Sequence, residues 1–374
     1  MKILIFINSL GAGGAERSMV EFAKFLKDSN ILVKFVCLER RKVGLETEVK
    51  DYGIETIYFD ISKSGIKQEV NFVVNVIKNE DPDILHSVLA KSNLVLRLSR
   101  FYIKKGKLIQ SLVNTPYSLE RKKDTNLAWQ KFLVMKQVDK WSARLTKNIF
   151  YHAITNEVLE HYRPLFNIKD NFKIIYRGRN ENSSTEITKN SNFTILNSGR
   201  QEFAKGQIDI LKALKYIEDK YGIRDIYLEI LGREGGYTKK INTFIDENRL
   251  KDMVTIKGFV SNVEESLSKS HLFIFPSYYE GLGGALIEAF AAKLPCICSD
   301  IPVLREVVGK EDGALFSPPG DYKELAENIL KLYREEELRN KLSTHSYSRF
   351  QEAFRMETIN KEMLNMYKEI LGSK

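Results

Sequence analysis

Phe275-Pro276-Ser277-Tyr278-Tyr279-Glu280-Gly281-Leu282-Gly283-Gly284-Ala285-Leu286-Ile287-Glu288-Ala289-Phe290 is the most informative stretch of the 374-residue chain. An apolar strand ends at Pro276, a glycine-rich turn follows, and a helical pattern begins near Gly284. Strand, glycine turn and helix in that order form one step of a doubly wound parallel sheet, whose post-strand loops face the ligand crevice. Free amides from Gly281 to Ala285 suit an anion, because a helix N-terminus favours negative charge and glycine allows close approach. Glu280 at the crevice mouth suits hydroxyl groups instead, and Glu288 lies about one turn inside the helix on the crevice side. Carboxylates that accept from hydroxyls, beside amides that hold phosphate, describe a nucleotide-sugar site.

The same alternation of strand-like runs and amphipathic stretches extends both ways. Strands are expected at Phe193–Ser198, Ile226–Leu231, Val254–Lys257, Leu272–Phe275, Cys296–Ser299 and Ala314–Phe316. Helices are expected between and after them at Gly206–Tyr221, Tyr237–Asn248, Val263–Ser268, Ala285–Ala292, Val303–Val308 and Asp321–Glu336. Residues 180–192 are polar and aperiodic, and read as a linker; they hold two glycosylation sequons, Asn182 and Asn192, which a cytoplasmic protein leaves unused. An earlier series, Lys2–Asn8, Leu32–Leu38, Glu55–Phe59, Ile84–Val88, Leu108–Val113, His152–Ile154 and Lys173–Tyr176, predicts a second doubly wound sheet, with helices such as Glu16–Lys27 and Val70–Asn79 between its strands. The expected architecture is α/β: one domain over 1–179, the linker 180–192, another domain over 193–351, and a central cleft. A last helix, over about 352–374, is expected to cross back to the first domain.

Two further post-strand loops carry candidate chemistry. Gly199-Arg200-Gln201-Glu202-Phe203-Ala204-Lys205-Gly206 offers a planar guanidinium and a mobile ammonium, a pair able to clamp a diphosphate; the alternative is a solvated charged loop. Gly11-Ala12-Gly13-Gly14-Ala15-Glu16 either brings backbone amides to a phosphate or merely turns the chain into a helix. Glu16 occupies the third-glycine place of a dinucleotide fingerprint, where a carboxylate opposes a pyrophosphate.

With those residues assembled, Glu280 and Glu288 resemble the Glu-x7-Glu motif of retaining glycosyltransferases with the GT-B fold, glycosyltransferase family 4 or group 1. Gly199-Arg200 with Lys205-Gly206 is similar to that family's Gly-Arg…Lys-Gly element, and Gly11 to Glu16 resembles its amino-terminal Gly-Gly-x-Glu loop. The resemblance implies two Rossmann-like domains and a nucleotide-diphosphate sugar as co-substrate, with no other cofactor and no metal. It implies that Arg200 and Lys205 neutralise the departing diphosphate and that Glu280 holds donor-sugar hydroxyls. Gly281, Leu282, Gly283 and Gly284 are implied to supply amides, Glu288 to bind the ribose, and Gly13 with Gly14 to approach the phosphate from the other domain. Attack by the acceptor hydroxyl on the departing phosphate's face, with a phosphate oxygen taking the proton, requires no separate base.

The sequence also departs from that pattern. A histidine usual after the fifth strand is replaced by Val113-Asn114-Thr115-Pro116, so Asn114, with His86, is a candidate for the acceptor or donor-sugar side. His86 has a second reading as a satisfied interior histidine. Arg177-Gly178 stands for the usual Asn-Gly, Arg233-Glu234 follows Gly232, and His271 reads as structural. Asp81-Pro82-Asp83 mimics a metal-binding Asp-x-Asp but reads as a loop leading into a strand. An epimerase-like relative and a catalytically silent nucleotide-sugar-binding subunit stay open beside the transferase. A dehydrogenase is disfavoured by Glu16.

Composition narrows the partners. Hydrophobic residues at 43% and charged residues at 29% exclude a disordered or collagen-like chain. No apolar run approaches the ~18 residues of a membrane span. The start is too short for a signal peptide, and Cys37, Cys296 and Cys298 are too few for a disulfide framework. The expected location is the cytoplasm, with a peripheral place at the inner face of the cell membrane as an open alternative. The net charge of +9 is concentrated early: residues 1–179 hold 31 Lys and Arg against 19 Asp and Glu. No nucleic-acid module accompanies it, so an anionic membrane surface or a lipid-linked glycan acceptor, as in lipopolysaccharide, O-antigen or capsule assembly, is the expected partner. Leu119 to Phe150 interleaves eight cations with Trp129, Phe132, Leu133, Met135 and Trp141, which reads either as an interfacial helix or as a solvated one packed on the core.

Overall fold

Ile3 to Ile7 are buried without interruption, and a strand covered on both faces belongs at the centre of a parallel sheet flanked by helices. The computed structural model describes the chain except residues 12, 41–43, 61–64, 125–127, 182–187, 261 and 373–374 and the side chain of Lys123. Strand β1 (Lys2–Ile7) pairs in parallel with β2 (Leu32–Cys37) and β4 (Ile84–Val88). With β3 (Glu55–Tyr58), β5 (Lys107–Leu112), β6 (Ile149–Ala153) and β7 (Phe172–Ile174), the sheet runs β3-β2-β1-β4-β5-β6-β7. The first unit comprises Met1–Ser118, Asn126–Gly178 and Glu357–Lys374. Its last segment belongs there because Ile359, Met363, Met366 and Tyr367 of the helix Met356–Gly372 enter the same core as Ile3, Ile5 and Phe22. The helix does not start at 352 as expected. Glu336–Ala353 ends a separate helix, and Arg179 exchanges backbone hydrogen bonds with Phe354 (2.8 Å) and Met356 (2.9 Å) at the break.

A buried polar chain joins that terminal helix to the sheet. His152 Nε2 lies 2.9 Å from the Ile175 carbonyl, which only accepts, so His152 Nδ1 accepts from the Ser111 hydroxyl at 2.8 Å. Ser111 Oγ then accepts from His86 Nε2 (2.7 Å), and His86 Nδ1 accepts from the Tyr367 hydroxyl (2.5 Å). That proton order holds with both imidazoles neutral, the state burial favours. A second buried network holds the helix Trp129–Leu145 against the helix Ala90–Ser99. Arg97, fully buried, pairs with Asp139 and donates to Ser142 Oγ and Gln110 Oε1, both at 3.0 Å. Tyr117 Oη donates to the other Asp139 oxygen at 2.9 Å.

The second unit comprises Leu119–Thr125 and Arg179–Met356. Its six parallel strands, β8 (Phe193–Ser198), β9 (Ile226–Leu231), β10 (Val254–Gly258), β11 (Leu272–Phe275), β12 (Cys296–Ser299) and β13 (Leu315–Ser317), run β10-β9-β8-β11-β12-β13. Ile195, Ile230 and Ile274 of the sheet pack with Ile210 and Leu214 of the helix Gln207–Tyr221. Of the expected linker, 182–187 lie outside the described residues, Asn182 among them. Its far end is tied down, Lys189 Nζ donating to the Ser270 carbonyl (2.5 Å) and Asn190 N–H to that of Lys269 (3.0 Å). His271 Nδ1 accepts from Thr194 N–H at 3.1 Å, and its ring stacks on Phe193.

Burial holds the His152 imidazole down at about 4 and His86 well below its ordinary value, with His152 and Arg177 adding to the effect on His86. The unfolded chain therefore takes up protons below about pH 6.5 that the folded chain refuses. Stability is fully present above pH 6.5 and falls as pH drops toward 4, by at most about 1.4 kcal/mol per pH unit for each histidine. Urea unfolding across this range should show that slope, and His152→Gln should flatten it.

Candidate functional site

The order of the second sheet reverses between β8 and β11, which makes the loops after these two strands the walls of its switch-point crevice. Those loops are joined by their backbones, Tyr278 N–H donating to the Ala204 carbonyl at 2.9 Å. The first ends in a 3-10 turn, Phe203–Lys205, and Gly206 at φ +63°. A Cβ at Gly206 would lie 2.1 Å from the Pro276 carbonyl oxygen, so only glycine allows the approach.

That approach brings Lys205 to Glu280. The ammonium donates to the carboxylate in an ion pair only 23% and 11% exposed, and Lys205 also lies over the Phe275 ring. Both tyrosines before Glu280 are anchored. Tyr278 stacks on Phe203 and donates to Asp209 at 2.8 Å; burial raises the Asp209 carboxyl pKa, and that bond opposes the rise. Tyr279 donates to Asp124 at 2.5 Å and carries the Arg121 guanidinium over its ring. Leu119–Thr125, expected within the first domain, thereby belongs to the second unit.

The helix Gly284–Ala291 begins behind this pair. Leu282 is buried, so its expected part in ligand binding falls to its backbone. Glu288 accepts from Arg179 Nε at 2.8 Å. The same guanidinium lies against the helix start, where a Cβ on Gly284 would be 2.1 Å from Arg179 Nη2. A cation there opposes the helix dipole, and Glu288 one turn further in compensates it. Arg200 is exposed, and among the described residues its guanidinium has no ion-pair partner.

The second unit thus gathers Lys205, Glu280, Glu288 and the glycine turn 281–284, while Gly13, Gly14, His86 and Asn114 belong to the first. Gly13 and Gly14 are exposed at the start of the helix Gly14–Asp28, and the Glu16 carboxylate folds back toward Gly13. Asn114 is half-buried after β5. His86 is corrected: it is fully buried with both ring nitrogens occupied inside the sheet, and so does not face a substrate. Asp81 pairs with Lys105 and Asp83 accepts from Lys2 N–H, which accounts for the Asp-x-Asp. Among the described residues no three His, Cys, Asp or Glu side chains gather as metal ligands. Burial raises the thiol pKa of Cys296, Cys298 and Cys37, the last to about 12. Sequence reasoning missed Arg179 as the partner of Glu288. It also missed Leu89, a leucine at φ +79° directly after β4 at the first sheet's switch point. Neither residue type signals such a place.

Gly206→Ala is expected to destabilise the second unit by about 1–3 kcal/mol through backbone strain and loop separation, measured by chemical unfolding.

Comparison with known proteins follows the same division. Residues 179–349 match the model of the glycosyl transferases group 1 family. The chain is 26% identical over 310 residues to the capsular polysaccharide biosynthesis glycosyltransferase CapH of Staphylococcus aureus, covering 82% of this chain and 83% of that one. It is 24% identical over 353 residues, 90% and 92% of the two chains, to the N-acetylgalactosamine-N,N'-diacetylbacillosaminyl-diphospho-undecaprenol 4-alpha-N-acetylgalactosaminyltransferase of Campylobacter jejuni. Among solved structures, Anabaena HepE in complex with UDP superposes with a TM-score of 0.83 at 18% identity, over 99% of this chain and 100% of that one.

Proposed function

We propose that the chain, whose residues 179–349 match the glycosyl transferases group 1 family and whose fold is GT-B, transfers a sugar, with retention of anomeric configuration and without a metal, from a nucleotide-diphosphate donor to an acceptor hydroxyl. The observation that carries this reading is the Lys205–Glu280 ion pair at the switch point of the second sheet. Each partner satisfies the other until a donor offers both better company. The diphosphate draws Lys205, the sugar hydroxyls donate to Glu280, and the exchange leaves neither charge unpaired.

In the proposed reaction, Lys205 and Arg200 stabilise negative charge growing on the departing diphosphate. Gly281, Leu282, Gly283 and Gly284 supply amides at a helix start. Glu288, oriented by Arg179, accepts from the ribose hydroxyls. In the first unit, Gly13 and Gly14 offer exposed amides to an anion and Asn114 a hydrogen bond to a hydroxyl. The acceptor hydroxyl attacks on the leaving side, and a phosphate oxygen takes its proton. The names of the Staphylococcus and Campylobacter relatives support a place in capsule or other surface-glycan assembly, on a lipid-linked acceptor.

Among UDP, GDP and ADP, the correct nucleotide at a hundred times its Kd should stabilise the protein by about 2.7 kcal/mol in thermal unfolding. Lys205→Ala should lower kcat/KM by about 2–4 kcal/mol of transition-state stabilisation. Glu288→Ala should raise donor KM more than it lowers kcat, because a ribose contact serves ground and transition states alike. Product NMR should show the donor's anomeric configuration, and turnover should survive excess EDTA; inversion or metal dependence would overturn those parts.

A further inference from the structure

The helix Trp129–Leu145 leaves most of its large apolar side chains uncovered. Its inward face buries Phe132 and Ala143 beside Asp139 and Ser142, the last two committed to the buried Arg97. Its outward face carries the remaining apolar side chains. Val134, Val138, Trp141 and Leu145, spaced i, i+4, i+7 and i+11, form one ridge and are 61%, 45%, 52% and 61% exposed. Leu133 and Met135 flank the ridge and are exposed as well. Scattered exposed leucines need no explanation, but a continuous exposed ridge along one helix does.

Charge identifies the occupant. Lys140 and Arg144 lie on one side of the ridge, Arg144 donating to the Leu165 and Pro164 carbonyls, Lys131 stands on the other, and Lys147 follows the helix end. The one acid of the segment, Asp139, is turned inward and paired. The outward face therefore presents apolar groups framed by positive charge alone. A second copy of the chain would set those cations against one another. A surface offering acyl chains beneath a layer of anions satisfies both halves. We propose that this face docks in the headgroup region of an anionic lipid bilayer, the ridge entering the acyl boundary and the lysines contacting lipid phosphates. Among the described residues no helix is long and apolar enough to cross a membrane, so this contact is interfacial. The inference deepens the proposed use of a lipid-linked acceptor by naming the docking face, but the helix geometry that carries it is independent of the donor site.

The chain's two tryptophans, Trp129 and Trp141, both lie on this helix, so intrinsic fluorescence reports it alone. Full-length protein mixed with phosphatidylcholine vesicles containing phosphatidylglycerol, at low salt, should show blue-shifted emission and co-flotation; pure phosphatidylcholine vesicles should give neither. Neutralising Lys131 or Lys140 to Gln should weaken partition about fivefold each. Val138→Glu, at an exposed position, should abolish the blue shift while circular dichroism and thermal unfolding match the parent. Absence of binding to anionic vesicles overturns the proposal, as does binding that Val138→Glu leaves unchanged. Lipid-free self-association that Val138→Glu removes would assign the face to a second copy instead. Nucleotide-induced stabilisation, measured on the same samples without lipid, reports the donor reading separately.

Discussion

Two opposite charges from neighbouring loops meet between Lys205 and Glu280, and much of the second unit's crevice follows from that meeting. A half-buried ion pair contributes little net stability, since each charge loses hydration as it gains a partner. What it supplies is geometry. The pair forms because β8 and β11 are adjacent parallel strands, because Gly206 lets one loop pass close to Pro276, and because Tyr278 and Tyr279 are clamped on either side. A mobile ammonium and a mobile carboxylate would have to be ordered when a ligand arrives; here the ordering is already done.

The Arg179–Glu288 contact extends the same logic to the helix start. Arg179 is fixed twice, by its backbone bonds to Phe354 and Met356 and by its side chain on Glu288. Its place over Gly284 is electrostatically poor without a carboxylate nearby, and Glu288 supplies one. The crevice therefore carries two acid–base pairs, each already satisfied, arranged around the glycine turn 281–284. Such an arrangement tolerates being empty and rewards a ligand that carries both phosphate and hydroxyl groups.

The central strands could be read from sequence because burial on both faces leaves a continuous apolar run, as in Lys2–Ile7 and Leu272–Phe275. Edge and short strands slipped: β6 begins at Ile149 instead of His152, and β7 at Phe172 instead of Lys173, because alternating or brief runs mark their ends weakly. The break near residue 354 carries no proline or glycine, and it is imposed by the pairing with Arg179, far away in the chain. In the site, Lys205, Glu280 and Glu288 were legible because glycine turns and strand ends announce their positions. His86 was not. Its fate is decided by Tyr367, 281 residues later, whose hydroxyl closes a bond that no local pattern encodes.

The helix Trp129–Leu145 shows most sharply what periodicity cannot decide. Its sequence offers an apolar ridge and a polar side, and a hydrophobic stripe ordinarily faces the core. The opposite orientation is enforced by one residue on another helix. Arg97 is fully buried, and turning the apolar ridge inward would withdraw Asp139 and strand that charge, at a cost of about 3–5 kcal/mol. Each outward apolar side chain forgoes at most about 1.5–3 kcal/mol, and less where it is already half covered. The observed orientation also buries Phe132 and Ala143, so it keeps the ion pair together with part of the apolar surface. The buried Arg97–Asp139 pair thereby fixes which side of the helix faces the sheet and leaves Val134, Val138, Trp141 and Leu145 on the surface.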